Sequence, residues 1–176
     1  MMKQWFSAKY LLCLVLFLFY APGILLAECK NGTVPGISIP SLNISSPIVE
    51  FPLGYSTWTI DPWETQVGHL EGTADLGQGG NIVLAAHSRM PNLEDGIFAK
   101  LPSLHEGDEI IVFDGQVERV YQVVEVLYVD YTDLSVLYPT VEEQLTLITC
   151  DVAGGYNTHR QDYNQRVVVV ATRVDY

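Results

Sequence analysis

Cysteine is scarce in this chain, and its distribution limits the kinds of protein the chain can be. The 176 residues include three cysteines. Cys13 lies in an apolar N-terminal run, Cys29 lies in the short stretch after it, and Cys150 stands alone in the remaining sequence. Disulfide-rich scaffolds need several paired cysteines to hold a small domain together. Such a scaffold is excluded here, which leaves Cys150 as a thiol that needs another reason to be present.

Basic residues are also scarce. Nine lysines and arginines stand against 21 aspartates and glutamates, which gives a formal net charge of −12 at pH 7. Proteins that bind nucleic acid or adhere to anionic lipid do so through basic surfaces. We therefore predict no nucleic-acid partner, and the acidic balance says little else about function.

The N-terminal segment has the composition of a targeting sequence. Lys3 and Lys9 give it a positive start, and residues 11–27 are apolar apart from one Pro-Gly pair. That length is short for a membrane span and long for the core of a signal peptide. We predict that residues 1–28 form an uncleaved N-terminal anchor, with removal after Ala27 as the alternative. Both interpretations place the rest of the protein outside the cytoplasm.

The rest of the chain is long enough for one domain with its own core. Residues 29–35 are predicted to be a short linker, and residues 36–176 a single domain, since no repeat and no low-complexity tract divides them. Short runs rich in Val, Ile, Tyr and Thr alternate with Gly, Pro, Asp and Asn, which is typical of β-strands and turns. The predicted strands are 36–39, 47–51, 81–86, 109–113, 118–129, 144–149 and 166–174.

This pattern predicts an all-β fold, a closed or nearly closed β-barrel with small helices. Asp114-Gly115 separates two of the predicted strands and is a strong hairpin signal, because both residues accept a positive φ. Residues 97–104 carry apolar side chains at helical spacing and are predicted to form a short helix or a 3₁₀ turn. Long segments without strands, at 53–80, 88–108 and 151–165, are typical of functional loops.

Two of the predicted strands end on side chains that can do chemistry together. One strand is followed by His87, and another by Cys150. Strand ends that are far apart in sequence become neighbours in a sheet. A thiolate attacks as a nucleophile, and a histidine beside it can carry the proton of the leaving group. The sequence therefore predicts nucleophilic cysteine chemistry.

Three motifs make the chain resemble a known family. Residues 146–150 read TLITC and fit the TLxTC signature of the sortases, the cysteine transpeptidases of bacterial surfaces. Residues 81–87, NIVLAAH, are similar to the strand that ends on the family's histidine, and residues 165–171, QRVVVVA, to the arginine-led last strand. Residues 67–73, VGHLEGT, look like the segment before the histidine strand in class D-like members. The resemblance covers about residues 36–176.

The resemblance implies an eight-stranded barrel, a membrane anchor and a three-residue catalytic site. It implies cleavage of an LPxTG-like sorting signal after the threonine, a thioester intermediate on Cys150, and transfer to an amine. His87 would protonate the departing amine, and Arg166 would steady the oxyanion with a forked cation that stays charged. Buried structural roles are the ordinary alternative for a lone cysteine or histidine.

Other residues compete for two of these roles. His159 is held as a reserve for the histidine, whereas His69 lies in a Gly-flanked loop and His105 in a charged turn. Arg160 is the alternative to Arg166, because its surroundings are similar to the arginine segment of class C enzymes. Thr149 precedes the nucleophile and is predicted to be structural. We predict no cofactor and no metal, since the loop carboxylates lack the spacing of a calcium loop.

The class of enzyme is predicted from two further features. Asp61-Pro62-Trp63 is similar to the lid tripeptide of pilin-building class C sortases, but it follows the first strand instead of preceding it, so we predict a loop turn. The sequence has no second apolar segment up to Tyr176, whereas class C enzymes often have one. Both features favour a class A, D or E-like enzyme.

The implied partners are exported proteins with a C-terminal sorting signal, an amine nucleophile of the cell envelope, and the membrane through the N-terminal segment. The expected location is the extracytoplasmic face of a bacterial membrane, or the medium if the leader is cleaved. Two alternatives stay open. One is an exported cysteine protease, in which water resolves the thioester, and the other is a non-catalytic β-barrel that binds peptides.

Overall fold

A computed structural model describes residues 34–55 and 57–174, so the predicted leader at 1–28 lies outside the described residues. The described chain is built from ten strands. They are β1 (Gly36–Ile39), β2 (Ile44–Phe51), β3 (Val67–Leu70), β4 (Asn81–Ala85), β5 (Glu109–Phe113), β6 (Glu118–Asp130), β7 (Gln144–Cys150), β8 (Tyr156–Asn157), β9 (Asp162–Tyr163) and β10 (Gln165–Val174).

Eight of these strands close into a barrel in the order β1-β2-β3-β4-β7-β10-β6-β5, and β8 pairs with β9 in a separate hairpin. β2 pairs with β3 and β4 with β7 in parallel, whereas the other barrel pairs are antiparallel. Because β4 and β7 are parallel neighbours, their carboxyl ends meet at the same end of the barrel. The predicted all-β barrel is therefore confirmed.

The predicted strands agree with the structure to within a few residues. β1 and β5 have the predicted bounds, β2 begins at Ile44 rather than at residue 47, and the last strand begins at Gln165. The hairpin at Asp114-Gly115 is present, with Gly115 at φ +100. Within the segment predicted as a short helix or 3₁₀ turn, Leu101–Ser103 is a 3₁₀ helix. Two further 3₁₀ helices span Pro40–Leu42 and Ser135–Leu137.

Three strands were missed. β3 is four residues long and fully buried, so it has no alternation of polar and apolar side chains. It contains Gly68 and His69, and the prediction that His69 lies in a Gly-flanked loop is therefore wrong. The structure explains this glycine, because a Cβ there would lie 2.2 Å from ring atoms of Phe51. β8 and β9 have two residues each, which is too short for a periodic pattern to indicate.

Two apolar clusters lie on opposite faces of the sheet. Alternate residues of β4, including Ile82 and Leu84, pack in the barrel interior. Val83 and Ala85 point the other way and pack with Phe51 and Leu70 in an outer cluster. Part of the loop between β2 and β3 covers this outer cluster, through Trp58 and Ile60. That loop therefore forms a wall over the outer surface of β4, and it approaches the end of the strand that leads to His87.

No helix among residues 34–55 and 57–174 is both long and apolar enough to cross a membrane.

Candidate active site

Cys150 and Arg166 lie on neighbouring strands, and His87 follows two residues after the end of the strand on the other side of Cys150. In the parallel pair β4–β7, Ala85 is the partner of Ile148, and two residues further on the same register brings His87 level with Cys150. In the antiparallel pair β10–β7, Arg166 is the direct partner of Cys150. Adjacent strands are about 4.8 Å apart. The fold thus brings the three predicted site residues together, with Cys150 in the middle.

Cys150 faces outward from the barrel. Leu145 and Leu147 of β7 belong to the interior cluster, whereas Ile148 packs against the outer cluster. Since successive strand residues point to opposite faces, Cys150 shares the outer face with Ile148. Its side chain is partly buried, so it keeps some exposure on this outer face.

Thr149 points inward, and it fastens the two strand ends. Its Oγ1 donates a hydrogen bond of 2.8 Å to the carbonyl of Ala86, and the residue is 3 % exposed. The main-chain amide of Ala86 donates to the carbonyl of Ile148 at 3.3 Å. These two contacts tie β4 to β7 one residue before His87 and Cys150. The structural role predicted for Thr149 agrees with this geometry.

The surroundings of Cys150 disfavour its thiolate form on balance. Burial raises the pKa of the Cys150 thiol, because an anion is disfavoured where solvent is excluded. The charge of Arg166 acts in the opposite direction, and the carboxylate of Asp162 raises the pKa further. The thiolate therefore needs help to form, either from a proton acceptor or from a change in these neighbouring charges.

The guanidinium of Arg166 is held by the β8–β9 hairpin. Its Nη2 donates to Oδ2 of Asp162 at 2.7 Å, and its Nη1 donates to the carbonyls of Tyr163 and Gln165 at 3.1 and 3.2 Å. The ion pair is partly buried, with the two side chains 22 % and 35 % exposed. Arg166 therefore faces the thiol while its charge is shared with an acidic partner.

His87 is held from two sides. Its Nε2 lies 2.9 Å from the main-chain carbonyl of Asp61, in the loop between β2 and β3. The main chain of His87 packs against Gly96, where a Cβ would lie 2.1 Å from the carbonyl oxygen of His87. The amide of Phe98 donates to that same oxygen at 3.0 Å. The segment Asp61-Pro62-Trp63 is a turn, as predicted, and it reaches the histidine.

The competing residues have other surroundings. His69 is 6 % exposed, and its two ring nitrogens lie 2.9 Å from Oε2 of Glu50 and 2.9 Å from the carbonyl of Ala74. His105 and His159 are exposed. The guanidinium carbon of Arg160 lies 4.1 Å from the centre of the Tyr131 ring, and its Nη2 donates to Asn164 at 2.9 Å. His87, Cys150 and Arg166 stay the predicted catalytic residues.

Sequence reasoning missed three contributors to this site: Asp162, Gly96 and the carbonyl of Asp61. Every residue has a main-chain carbonyl, so the sequence does not indicate that the one of Asp61 contacts His87. Gly96 cannot be distinguished by sequence from other loop glycines. Asp162 lies four residues before Arg166, but the two meet only because the β8–β9 hairpin folds back. Over residues 34–55 and 57–174, no three His, Cys, Asp or Glu side chains are grouped so as to hold a metal ion.

The site and fold together define a class: a closed β-barrel that carries a thiol, an imidazole and a guanidinium at the same end. A model of the sortase domain matches residues 37–174. The chain is 31% identical to sortase D of Bacillus subtilis over 123 residues, which is 69% of this chain and 56% of that relative. The match thus spans just over half the length of that curated relative.

Solved structures show the same relationship. Sortase A from Corynebacterium diphtheriae superimposes with a TM-score of 0.64 and 29% identity, covering 81% of this chain and 61% of that one. Sortase C-1 from Actinomyces oris gives a TM-score of 0.64 and 28% identity, covering 84% and 77%. The chain belongs to the sortase family. Sortases are cysteine-dependent transpeptidases that are associated with membranes and act outside the cytoplasm.

Proposed function

We propose that this protein is a cysteine transpeptidase, which cleaves an LPxTG-like sorting signal and transfers the cleaved protein to an amine of the cell envelope. The observation that carries the proposal is the position of Cys150 between Arg166 on β10 and His87, which follows β4. Nucleophile, proton carrier and fixed cation then lie next to one another.

The reaction has two acyl-transfer steps. Cys150 transfers its proton to His87, and the thiolate attacks the carbonyl carbon of the threonine in the signal. The C–N bond then breaks, His87 returns the proton to the departing amine, and a thioester remains on Cys150. In the second step an acceptor amine attacks the thioester, and a new C–N bond forms as the C–S bond breaks. The amine's proton passes through His87 to the departing sulfur of Cys150, which restores the thiol.

Arg166 is proposed to stabilise the oxyanion of each tetrahedral intermediate. A guanidinium has five N–H donors. The contacts of Arg166 with Asp162, Tyr163 and Gln165 use three of them within the described part of the chain, which leaves two for a substrate oxygen. The partial burial of this group strengthens its interaction with a developing negative charge.

The partners and location follow from the proposed reaction. The acyl donors are exported proteins with a C-terminal sorting signal, and the acceptor is an amine nucleophile of the cell envelope. Residues 1–28 are proposed to anchor the enzyme at the extracytoplasmic face of the membrane. We favour a class D, E or A-like enzyme over a pilin-type class C enzyme, because Asp61-Pro62-Trp63 lies after β2 and not before the first strand.

Mass spectrometry of the full chain, mixed with a set of LPxTG-like peptides and a glycine amine, tests the proposal. We expect a thioester adduct on Cys150 and an amine-ligated product, both missing in Cys150→Ala. A Cys150-dependent hydrolysis product alone, even at saturating amine, would identify a protease instead. A folded protein that forms no adduct with any peptide would favour the non-catalytic peptide-binding barrel.

A further inference from the structure

The contact between His87 and Asp61 fixes the position of one proton. Nε2 of His87 lies 2.9 Å from the main-chain carbonyl oxygen of Asp61. A carbonyl oxygen only accepts hydrogen bonds, so Nε2 must carry a hydrogen in this arrangement. Nδ1 is then the ring nitrogen that gains and loses the second proton. A neutral His87 is therefore held as one tautomer.

The acceptor carbonyl belongs to a rigid turn. The amide of Glu64 donates to the Asp61 carbonyl at 2.9 Å, and the amide of Trp63 donates to Oδ1 of Asp61 at 2.8 Å. Pro62 occupies the second turn position, where its fixed φ is favoured, and it also restricts the backbone of the residue before it. The two lone pairs of the carbonyl are thus used by Glu64 and His87.

The turn is fastened to the strand that carries His87. Ile60 and Trp58 pack on the outer cluster, which includes Val83 and Ala85 of β4. The indole Nε1 of Trp58 also donates to the carbonyl of Glu71 at 2.9 Å. Asp61 directly follows Ile60, and His87 lies two residues after Ala85. The Asp61 carbonyl and the His87 imidazole are therefore both attached to the outer cluster, which keeps them in contact.

We propose that the main-chain carbonyl of Asp61, fixed by the Asp61–Glu64 turn, is a positioning group for His87, which reserves Nδ1 for proton exchange with Cys150 and the substrate amines. The inference rests on the proposed transpeptidase function. In each acyl-transfer step the proton moves to and from Nδ1, while the Nε2–H stays on the Asp61 carbonyl. A ring in the other tautomer presents the wrong nitrogen, and that fraction of the enzyme cannot complete the transfer.

The tautomer is measured directly by NMR of the full chain with ¹⁵N-labelled histidine, in the Cys150→Ala variant. Two-bond ¹H–¹⁵N correlations distinguish Nε2–H from Nδ1–H, and His87→Gln assigns the signal. At about pH 8.5, where an ordinary imidazole is neutral, we expect His87 to be the Nε2–H tautomer. A predominant Nδ1–H tautomer overturns the proposal. This readout needs no turnover, so it is independent of whether the mass-spectrometry test of function succeeds.

Variants of the turn test its importance for turnover. Pro62→Gly and Asp61→Ala loosen the turn, whereas Asp61→Asn keeps a side-chain oxygen for the Trp63 amide. We expect the first two to mix the His87 tautomers and to lower kcat by about 3- to 10-fold, the range expected for one modest hydrogen bond, with the KM for the peptide nearly unchanged. Asp61→Asn is expected to keep both the His87 tautomer and the kcat of the wild-type protein.

Pro102→Gly is the matched control, since Pro102 is an exposed proline in a 3₁₀ helix elsewhere in the chain. Thermal unfolding of each variant establishes that the fold is intact. A rise in kcat/KM for Asp61→Ala and Pro62→Gly would mean that the turn obstructs the site, and it would overturn the proposal. So would an unchanged tautomer and unchanged kcat in both variants.

Discussion

Arg166 is the direct strand partner of Cys150, yet its guanidinium is bound by Asp162, with 2.7 Å between Nη2 and Oδ2. The thiol thus has a cation beside it and an anion just beyond that cation. Burial raises the pKa of the Cys150 thiol, Arg166 lowers it, and Asp162 raises it. The reactivity of the nucleophile is therefore set by a residue of the β8–β9 hairpin as well as by the strand that faces it.

Replacing Asp162 by asparagine is expected to lower the pKa of the Cys150 thiol. Removing the anion leaves the Arg166 cation uncompensated, which favours the thiolate. Arg166→Gln is expected to raise the pKa. The rate of alkylation of Cys150 by iodoacetamide as a function of pH measures both, with Glu106→Gln as a control in another loop. A shift of the alkylation profile to higher pH in Asp162→Asn contradicts the explanation.

Arg166→Lys should lose most of the transpeptidase activity, by at least about tenfold in kcat/KM. Lysine keeps the charge but loses the planar fork that binds both Asp162 and a substrate oxygen. Arg160→Lys should change kcat/KM little, because Arg160 stacks on Tyr131 and binds Asn164. Peptide ligation by the two variants, assayed side by side, makes the comparison. The opposite order of losses would transfer the catalytic role to Arg160.

Gly96→Ala should damage both the stability and the site. A Cβ at residue 96 would lie 2.1 Å from the carbonyl oxygen of His87, which is main chain and cannot rotate away. We expect a loss of about 1–3 kcal/mol in the free energy of unfolding and a lower kcat, measured by urea unfolding and peptide ligation. Gly79→Ala is the matched control, because nothing lies within 4 Å of a Cβ there. Equal behaviour of the two variants would contradict the steric argument.

The sequence predicted the barrel well because its longest strands carry a clear signal. The runs that became β6 and β10 are dense in Val, and the Asp114-Gly115 turn fixes where β5 and β6 meet. It also placed His87 and Cys150 at strand ends. What made them neighbours was the parallel pairing of β4 with β7, which the local sequence pattern did not indicate.

The parts that were missed depend on contacts that form only once the chain has folded. β3 is buried on every residue, so no alternation marks it. Asp162 becomes the partner of Arg166 only when a hairpin of two-residue strands folds, and those strands are stabilised by surrounding structure and not by their own composition. The Asp61 carbonyl is main chain, and no residue type indicates it. These features are tertiary, so an amino-acid pattern does not determine them.

Thr149→Val should cost about 1–2 kcal/mol in the free energy of unfolding and reduce kcat. Valine keeps the shape of the side chain but removes the hydroxyl that donates to the Ala86 carbonyl in a buried place. The ends of β4 and β7 then lose the bond that holds them together just before His87 and Cys150. Thr172→Val, at an exposed position of β10, is the control. Urea unfolding and peptide ligation give the two readouts, and an effect no larger than that of the control would remove Thr149 from this role.

Asp114→Asn should change how stability depends on pH while leaving the site intact. The pKa of Asp114 is lowered to about 2, mainly by the hydrogen bond from the Val117 amide and also by Arg119. A depressed folded-state pKa contributes stability that is fully present above the ordinary carboxyl pKa of about 4 and is lost as the pH falls toward 2. Asparagine keeps an oxygen for the turn amides but has no charge, so we expect its free energy of unfolding to be about 1 kcal/mol lower at neutral pH.

This deficit in the free energy of unfolding should shrink between about pH 4 and pH 2, because protonation removes the same charge from the native protein. Urea unfolding of both proteins across this range measures it. A deficit that stays constant with pH would mean that the substitution acts through the turn geometry and not through the carboxylate charge.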